Sequence, residues 1–170
     1  MMKASTCDQI FTPAGFNLPR FTPYYENWAT ILDTFGICFR MPSSSLWNVK
    51  TASEIYSAAT GIEKTPEELL KDAERINNLG RFLNAREGFT RKDDRFPNHW
   101  FKPLRRPDRG TELVMTDYFD DTKVITREDS EKMLSEYYDE HGWDVDKGVP
   151  TKEKLVELGL EEATAELERI

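Results

Sequence analysis

The chain has little cysteine, little histidine, a deficit of positive charge and no long apolar run. Two cysteines in 170 residues, Cys7 and Cys38, cannot build a disulfide framework. A reduced, cytoplasmic setting is therefore the expectation. The two histidines, His99 and His141, lack the partner spacing of a nucleophilic triad and read as structural or merely exposed. No set of Cys and His ligands at short spacing marks a zinc site. No glycine-rich loop is present to cradle a phosphate. Lys and Arg number 23 against 31 Asp and Glu, a net charge of -8. That balance argues against nucleic acid, whose phosphates need basic faces, and against anionic membrane surfaces. No apolar run approaches the roughly 20 residues of a membrane span. The start, "MMKASTCDQIF", has no apolar signal region, so export is not expected.

What is present is a soluble-type composition, 38% hydrophobic and 12% aromatic, enough for one domain with a real core. Five helices are marked by caps. The first is expected after Thr22-Pro23, with Trp28, Ile31, Leu32 and Phe35 at helical spacing and Gly36 as its stop. The second is expected from a capping box at Thr51 and Glu54 to Gly61. "TPEE" at Thr65 opens the third and longest. Leu69, Ala73, Ile76, Gly80 and Leu83 then fall on one face, with Gly80 expected to admit a close neighbouring helix. The fourth runs from Thr126 to Gly142 and the fifth from Thr151 to Gly159, with a turn or two of helix in the tail. Between the third and fourth lies a long segment, 89–125, holding Pro97, Pro103, Pro107, Trp100, Phe101 and Phe119, with a short strand possible at Leu113 to Met115. The reading is an all-α fold: an irregular domain of about five to six helices with a long aromatic-rich loop, spanning 22–170 behind an extended arm, 1–21. Aromatic-rich loops cover large areas and point to an interface.

Few residues carry a chemical signal. The acidic run Asp117, Asp120, Asp121 lacks the spacing of a calcium loop and reads as a solvated turn. Lys102, Arg105, Arg106 and Arg109 would hold an anion or, in an acidic protein, form salt bridges. "ILDTFGIC" stands apart. Asp33 falls in the last turn of a helix, where the macrodipole disfavours an acid by roughly 0.3–1 kcal/mol when exposed. Cys38 follows the glycine stop. A lone cysteine there is a small buried hydrophobe or a thiolate ligand whose companions come from elsewhere. A carboxylate there would accept hydrogen bonds from a ligand's N–H groups.

This segment resembles the D-x-x-G-[LIV]-C segment of the aldehyde:ferredoxin oxidoreductase family of tungsten–pterin enzymes. The resemblance extends over Asn27 to Leu160. It takes in the N-x-R-E-G-F-[ST]-R-K-D-D signature at Asn84 to Asp94 and "YYDEHGWDVDKGVPTKEKLVELGL" at Tyr137 to Leu160. It implies a much longer complete enzyme, in which an N-terminal β-rich domain and two helical domains enclose a tungsten bis-pterin and one [4Fe-4S] cluster. That enzyme oxidises aldehydes to carboxylic acids and passes electrons to ferredoxin. By the resemblance Cys38 is the fourth cluster ligand, Asp33 contacts a pterin, and Ile37 approaches it through its backbone. Trp28, Phe35 and Phe39 would keep the cluster dry. The family's C-x-x-C-x-x-x-C motif and its N-terminal and middle domains have no counterpart here. The glutamate and histidine beside the tungsten belong to that missing part, so no catalytic residue is assigned. One cysteine cannot hold the cluster, so no cofactor is expected on the isolated chain.

Three accounts follow from the resemblance. The chain is a C-terminal part that works only with the missing domains or a companion subunit. Alternatively it is a non-catalytic module that packs on a partner. As a third account, it is part of a related tungsten aromatic acyl-CoA reductase. A homodimer is compatible with each.

Overall fold

A computed structural model describes residues 4–13, 15–38, 48–106, 110–117 and 120–167. Phe39, Pro107, Arg109 and Phe119, singled out above, lie outside the described residues, as does the side chain of Arg106. Among the described residues, seven helices dominate and the strands form three two-stranded antiparallel hairpins. The mainly helical class is as expected.

The N-terminal residues are not an extended arm. They form α1 (Ala4–Ile10) and a hairpin of β1 (Phe11–Thr12) and β2 (Gly15–Phe16) before α2 (Leu18–Thr34). Ile10 is fully buried, and its carbonyl accepts the Asn17 amide at 2.7 Å. Helix α2 therefore starts earlier than Thr22. Asn17 is its N-cap, accepting from the Arg20 amide at 3.1 Å, and Pro19 lies in its first turn. Pro23 sits inside the helix and removes one i→i−4 bond. The turn stays helical because Arg20 and Tyr24, on either side of Pro23, are anchored to a later helix through Asp139 and Glu140.

Helix α3 (Val49–Thr60) also begins upstream of its expected cap. The Asn48 side chain accepts from the Thr51 amide at 2.9 Å, so Thr51 is the third helical residue rather than the N-cap. The earlier start places Val49 against a cluster of Ile31, Ala52, Leu69 and Ala73. This cluster joins α2, α3 and α4 (Pro66–Arg86). Thr65 and Glu68 form the expected capping box of α4.

The buried face of α4 departs from its sequence stripe. Leu69 and Ala73 are buried, but the buried residues further along are Asn78, Phe82 and Ala85. Ile76, Gly80 and Leu83 are exposed. The first half of α4 packs on α2 and α3; the second half meets the hairpin of β5 (Trp143–Asp144) and β6 (Val149–Pro150) and the helix α7 (Glu161–Leu167). Different neighbours grip different sides, so the buried face rotates along the helix. Among the described residues Gly80 receives no helix: a Cβ there would meet nothing within 4 Å.

The segment 89–125 is not structureless. It holds a 3₁₀ turn (Asn98–Phe101) and a hairpin of β3 (Leu104–Arg106) and β4 (Thr111–Leu113), so the strand lies slightly before Leu113 to Met115. Helix α5 (Arg127–His141) starts at Thr126 and stops at Gly142 as expected, and the structure adds Asp129 as the reciprocal partner of the Thr126 cap. Helix α6 (Lys152–Glu157) is capped by Thr151 as expected. Leu155 and Leu158 are buried there, but Val156 faces solvent. No helix among the described residues is long and apolar enough to cross a membrane.

Candidate functional site

The end of α2 is a Schellman turn. The Ile37 amide donates to the Leu32 carbonyl at 2.9 Å and the Gly36 amide to the Asp33 carbonyl at 3.0 Å. Gly36 has φ 70°, in the left-handed region that a side chain makes costly. The chain therefore leaves the helix by a defined turn, with Asp33 on one side and Cys38 on the other. Both are exposed, and Ile37 between them is half-buried. Among the described residues neither the Asp33 carboxylate nor the Cys38 thiol has a hydrogen-bond partner within the chain. Cys38 is thus no buried hydrophobe. Beneath the turn, Phe35 stacks on Tyr56 with ring centroids 6.1 Å apart, and Phe35 and Trp28 pack on the Ile31 cluster. The corner has a firm base and two unsatisfied groups facing outward.

A second constellation lies further along the chain, and the sequence reading missed it. Glu26, one side of α2, accepts the Tyr137 hydroxyl at 3.0 Å and meets His141 Nε2 at 3.0 Å. His141 is 3% exposed and stacks on Trp143, ring centroids 4.3 Å apart. Trp143 Nε1 donates to Asn78 at 2.8 Å. Beside it, Arg81 grips both oxygens of Asp94, donates to the Gly148 carbonyl at 2.6 Å, and lies over the Trp143 ring. The Tyr138 hydroxyl also donates to Asp94. Burial pushes the Asp94 carboxyl up, but the bonds from Arg81 and Tyr138 prevail and hold it below the usual carboxylate range. Burial, reinforced by the neighbouring carboxylates, raises both Tyr137 and Tyr138 well above the ordinary phenol. Gly148, at φ 68°, cannot carry a side chain: a Cβ would come within 2.9 Å of Tyr138.

These bonds explain the R-K-D-D part of the signature. Arg91 reaches Ser135, the Val145 carbonyl and Glu131, while Asp94 locks Arg81. Both tie the loop after α4 to α5 and to the β5–β6 hairpin. Arg91, Asp93 and Asp94 are each paired within the chain, so the signature is a clasp here. Residues 26, 81 and 141 are far apart in sequence and carry no local spacing that would have announced them.

The other candidates stay at the surface. Asp120 accepts from Thr122, forming a local turn, and Arg105 pairs with Glu112 at 3.6 Å across β3 and β4. His99 is exposed beside Trp100. Above the buried network runs an open groove of about 680 Å³ between Ile76, Gly80 and Asn84 on one bank and Phe96, Pro97 and Trp100 on the other.

The family model described as "Aldehyde ferredoxin oxidoreductase, domains 2 & 3" matches residues 8–160. The chain belongs to the aldehyde ferredoxin oxidoreductase family. Among relatives of this aldehyde ferredoxin oxidoreductase family member is the "Aliphatic sulfonate oxidoreductase, WOR-like subunit" of Pyrococcus furiosus, 35% identical over 124 residues, or 69% of this chain and 18% of that protein. The "Tungsten-containing aldehyde ferredoxin oxidoreductase" of the same organism is 28% identical over 141 residues, 81% of this chain and 20% of that one. A solved structure, the "Active site complex BamBC of Benzoyl Coenzyme A reductase in complex with 1,5 Dienoyl-CoA", superposes with a TM-score of 0.67 at 28% identity over 89% of this chain and 20% of that chain. The chain thus spans about a fifth of the length of the relatives it matches.

Proposed function

We propose that this chain is the C-terminal part of a tungsten–pterin oxidoreductase of the aldehyde ferredoxin oxidoreductase family, and that it supplies one cluster ligand and one pterin contact. The observation that carries this is the α2 corner, where an exposed carboxylate and an exposed thiol, both without partners among the described residues, flank one Schellman turn. Cys38 is the ligand for a [4Fe-4S] cluster, and Asp33 accepts hydrogen bonds from pterin nitrogens, with the Ile37 backbone alongside. The cofactors would supply the oxidation of aldehyde to carboxylic acid and the path of electrons to ferredoxin. Among the described residues no three of His, Cys, Asp or Glu are grouped to hold a metal. A [4Fe-4S] cluster takes four ligands, so Cys38 fits as one member of a set completed by the N-terminal and middle domains or by a companion subunit. The isolated chain is then inactive.

The test is anaerobic co-expression with a polypeptide carrying the C-x-x-C-x-x-x-C motif. The complex should contain four irons per chain with broad visible absorbance, and Cys38→Ala should abolish both. A complete cluster in that variant would refute the assignment. A second reading, a tungsten aromatic acyl-CoA reductase, is favoured by the likeness to the benzoyl-CoA reductase complex. Turnover of an aromatic acyl-CoA and not of aldehydes by the same complex would select it. A cluster-free complex would instead mark the chain as a non-catalytic module.

A further inference from the structure

Resting on the proposed function, the structure goes on to indicate where the remainder of the enzyme docks. Along α4, Ile76, Leu79, Gly80 and Leu83 stand at i, i+3, i+4 and i+7, the spacing of a helix face made for burial. Yet Ile76 is 49% exposed, Leu79 38% and Leu83 39%, and a Cβ on Gly80 would meet nothing within 4 Å. Helix α4 satisfies its own chain with other residues: Leu69 and Ala73 on one side, Asn78, Phe82 and Ala85 on another. Two residues on from Ile76, Asn78 lies across the helix. Among the described residues the exposed stripe is therefore surplus to packing.

We infer that this stripe is the seat of an apolar helix from the part of the family fold that this chain lacks, carried on the same polypeptide or on a companion. Three observations favour that occupant. The relatives are about four times as long as the chain, so most of their fold lies outside it. Gly80 makes a notch at the centre of the ridge, and such a notch lets a second helix approach closely. The stripe continues into the open groove whose far bank, Phe96, Pro97 and Trp100, is also apolar and partly exposed. The charged groups beneath the groove are paired with one another, so the surface offers apolar contact with few free charges.

Gly80→Leu separates docking from folding. Leucine is the better helix former and has open space at this site, so the isolated variant should keep its helical circular dichroism and gain thermal stability. Affinity-tagged chain co-expressed with the C-x-x-C-x-x-x-C polypeptide should retain that partner at least tenfold less with Gly80→Leu or Leu83→Glu. Val156→Glu, an exposed site on α6, should leave retention unchanged. If the wild-type chain retains the partner and the stripe variants retain it equally, the docking surface is wrong and the proposed function stands. If a folded partner is not retained by the wild type, both readings fail. If sedimentation shows a dimer of this chain that Gly80→Leu dissociates, the occupant is a second copy and the inference is overturned.

Discussion

Arg81, inside α4, and Asp94, in the loop that follows it, form a two-pronged pair, with Nη1 donating to Oδ1 at 3.1 Å and Nη2 to Oδ2. Tyr138 adds a third donor to the same carboxylate. Removing Asp94 strands a guanidinium that is only 12% exposed. Asp94→Ala should destabilise the chain by about 3 kcal/mol, the size seen when one partner of a buried pair is removed. Urea unfolding checks this.

The same pair sets a pH dependence. The folded-state pKa of Asp94 is depressed. Its stabilising effect is therefore present above the unfolded aspartate value of about 4 and is lost as pH falls below it. The melting temperature of the wild type should drop between about pH 4 and pH 2. Asp94→Asn, less stable at neutral pH, should show a smaller drop over the same window.

The correction at α3 can be tested directly. Asn48, not Thr51, is the cap. Asn48→Ala should cost about 1 kcal/mol, whereas Thr51→Ala, at an ordinary helical position, should be within about 0.5 kcal/mol of wild type. Equal losses from both would restore Thr51 as the cap.

Gly36→Val probes the corner. Its φ of 70° forces a branched side chain into the left-handed region, at a cost of about 1–2 kcal/mol. The isolated chain should melt lower. In the co-expressed complex, iron per chain should fall, because the turn that aims Cys38 no longer closes.

Cys38 is exposed and Cys7 is partly covered. A thiol reagent should therefore modify Cys38 first, with the helical circular dichroism unchanged. In the assembled complex Cys38 should be protected if it is a cluster ligand, while Cys7 keeps the rate it has in the free chain.

Local chemistry was legible in the sequence. Thr65 and Thr126 carry reciprocal caps three residues long, and Gly61 and Gly142 end helices by backbone geometry alone, so no distant residue was needed to place them. The start of α2 was harder, since Asn17-Leu18-Pro19 and Thr22-Pro23 are both sound openings. Salt bridges from Arg20 to Asp139 and Glu140, about 120 residues away, hold the turn before Pro23 in the helix. Asp33 and Cys38 stood out because an acid at a helix end and a thiol past a glycine are local oddities. Glu26, Arg81, Asp94 and His141 did not, because each is ordinary until its partner arrives.

By itself, then, the sequence determined the mainly helical class, most helix ends and the glycine turn at the end of α2, since these depend on backbone hydrogen bonds within a few residues. Tertiary structure decided which side of α4 is buried. Hydrophobic periodicity marks a face that prefers to leave water, but it does not say which neighbour will cover it. Here α2 and α3 cover one sector and the β5–β6 hairpin with α7 another. The stripe from Ile76 to Leu83 is left open because burial is a property of the surfaces that meet, not of the helix alone.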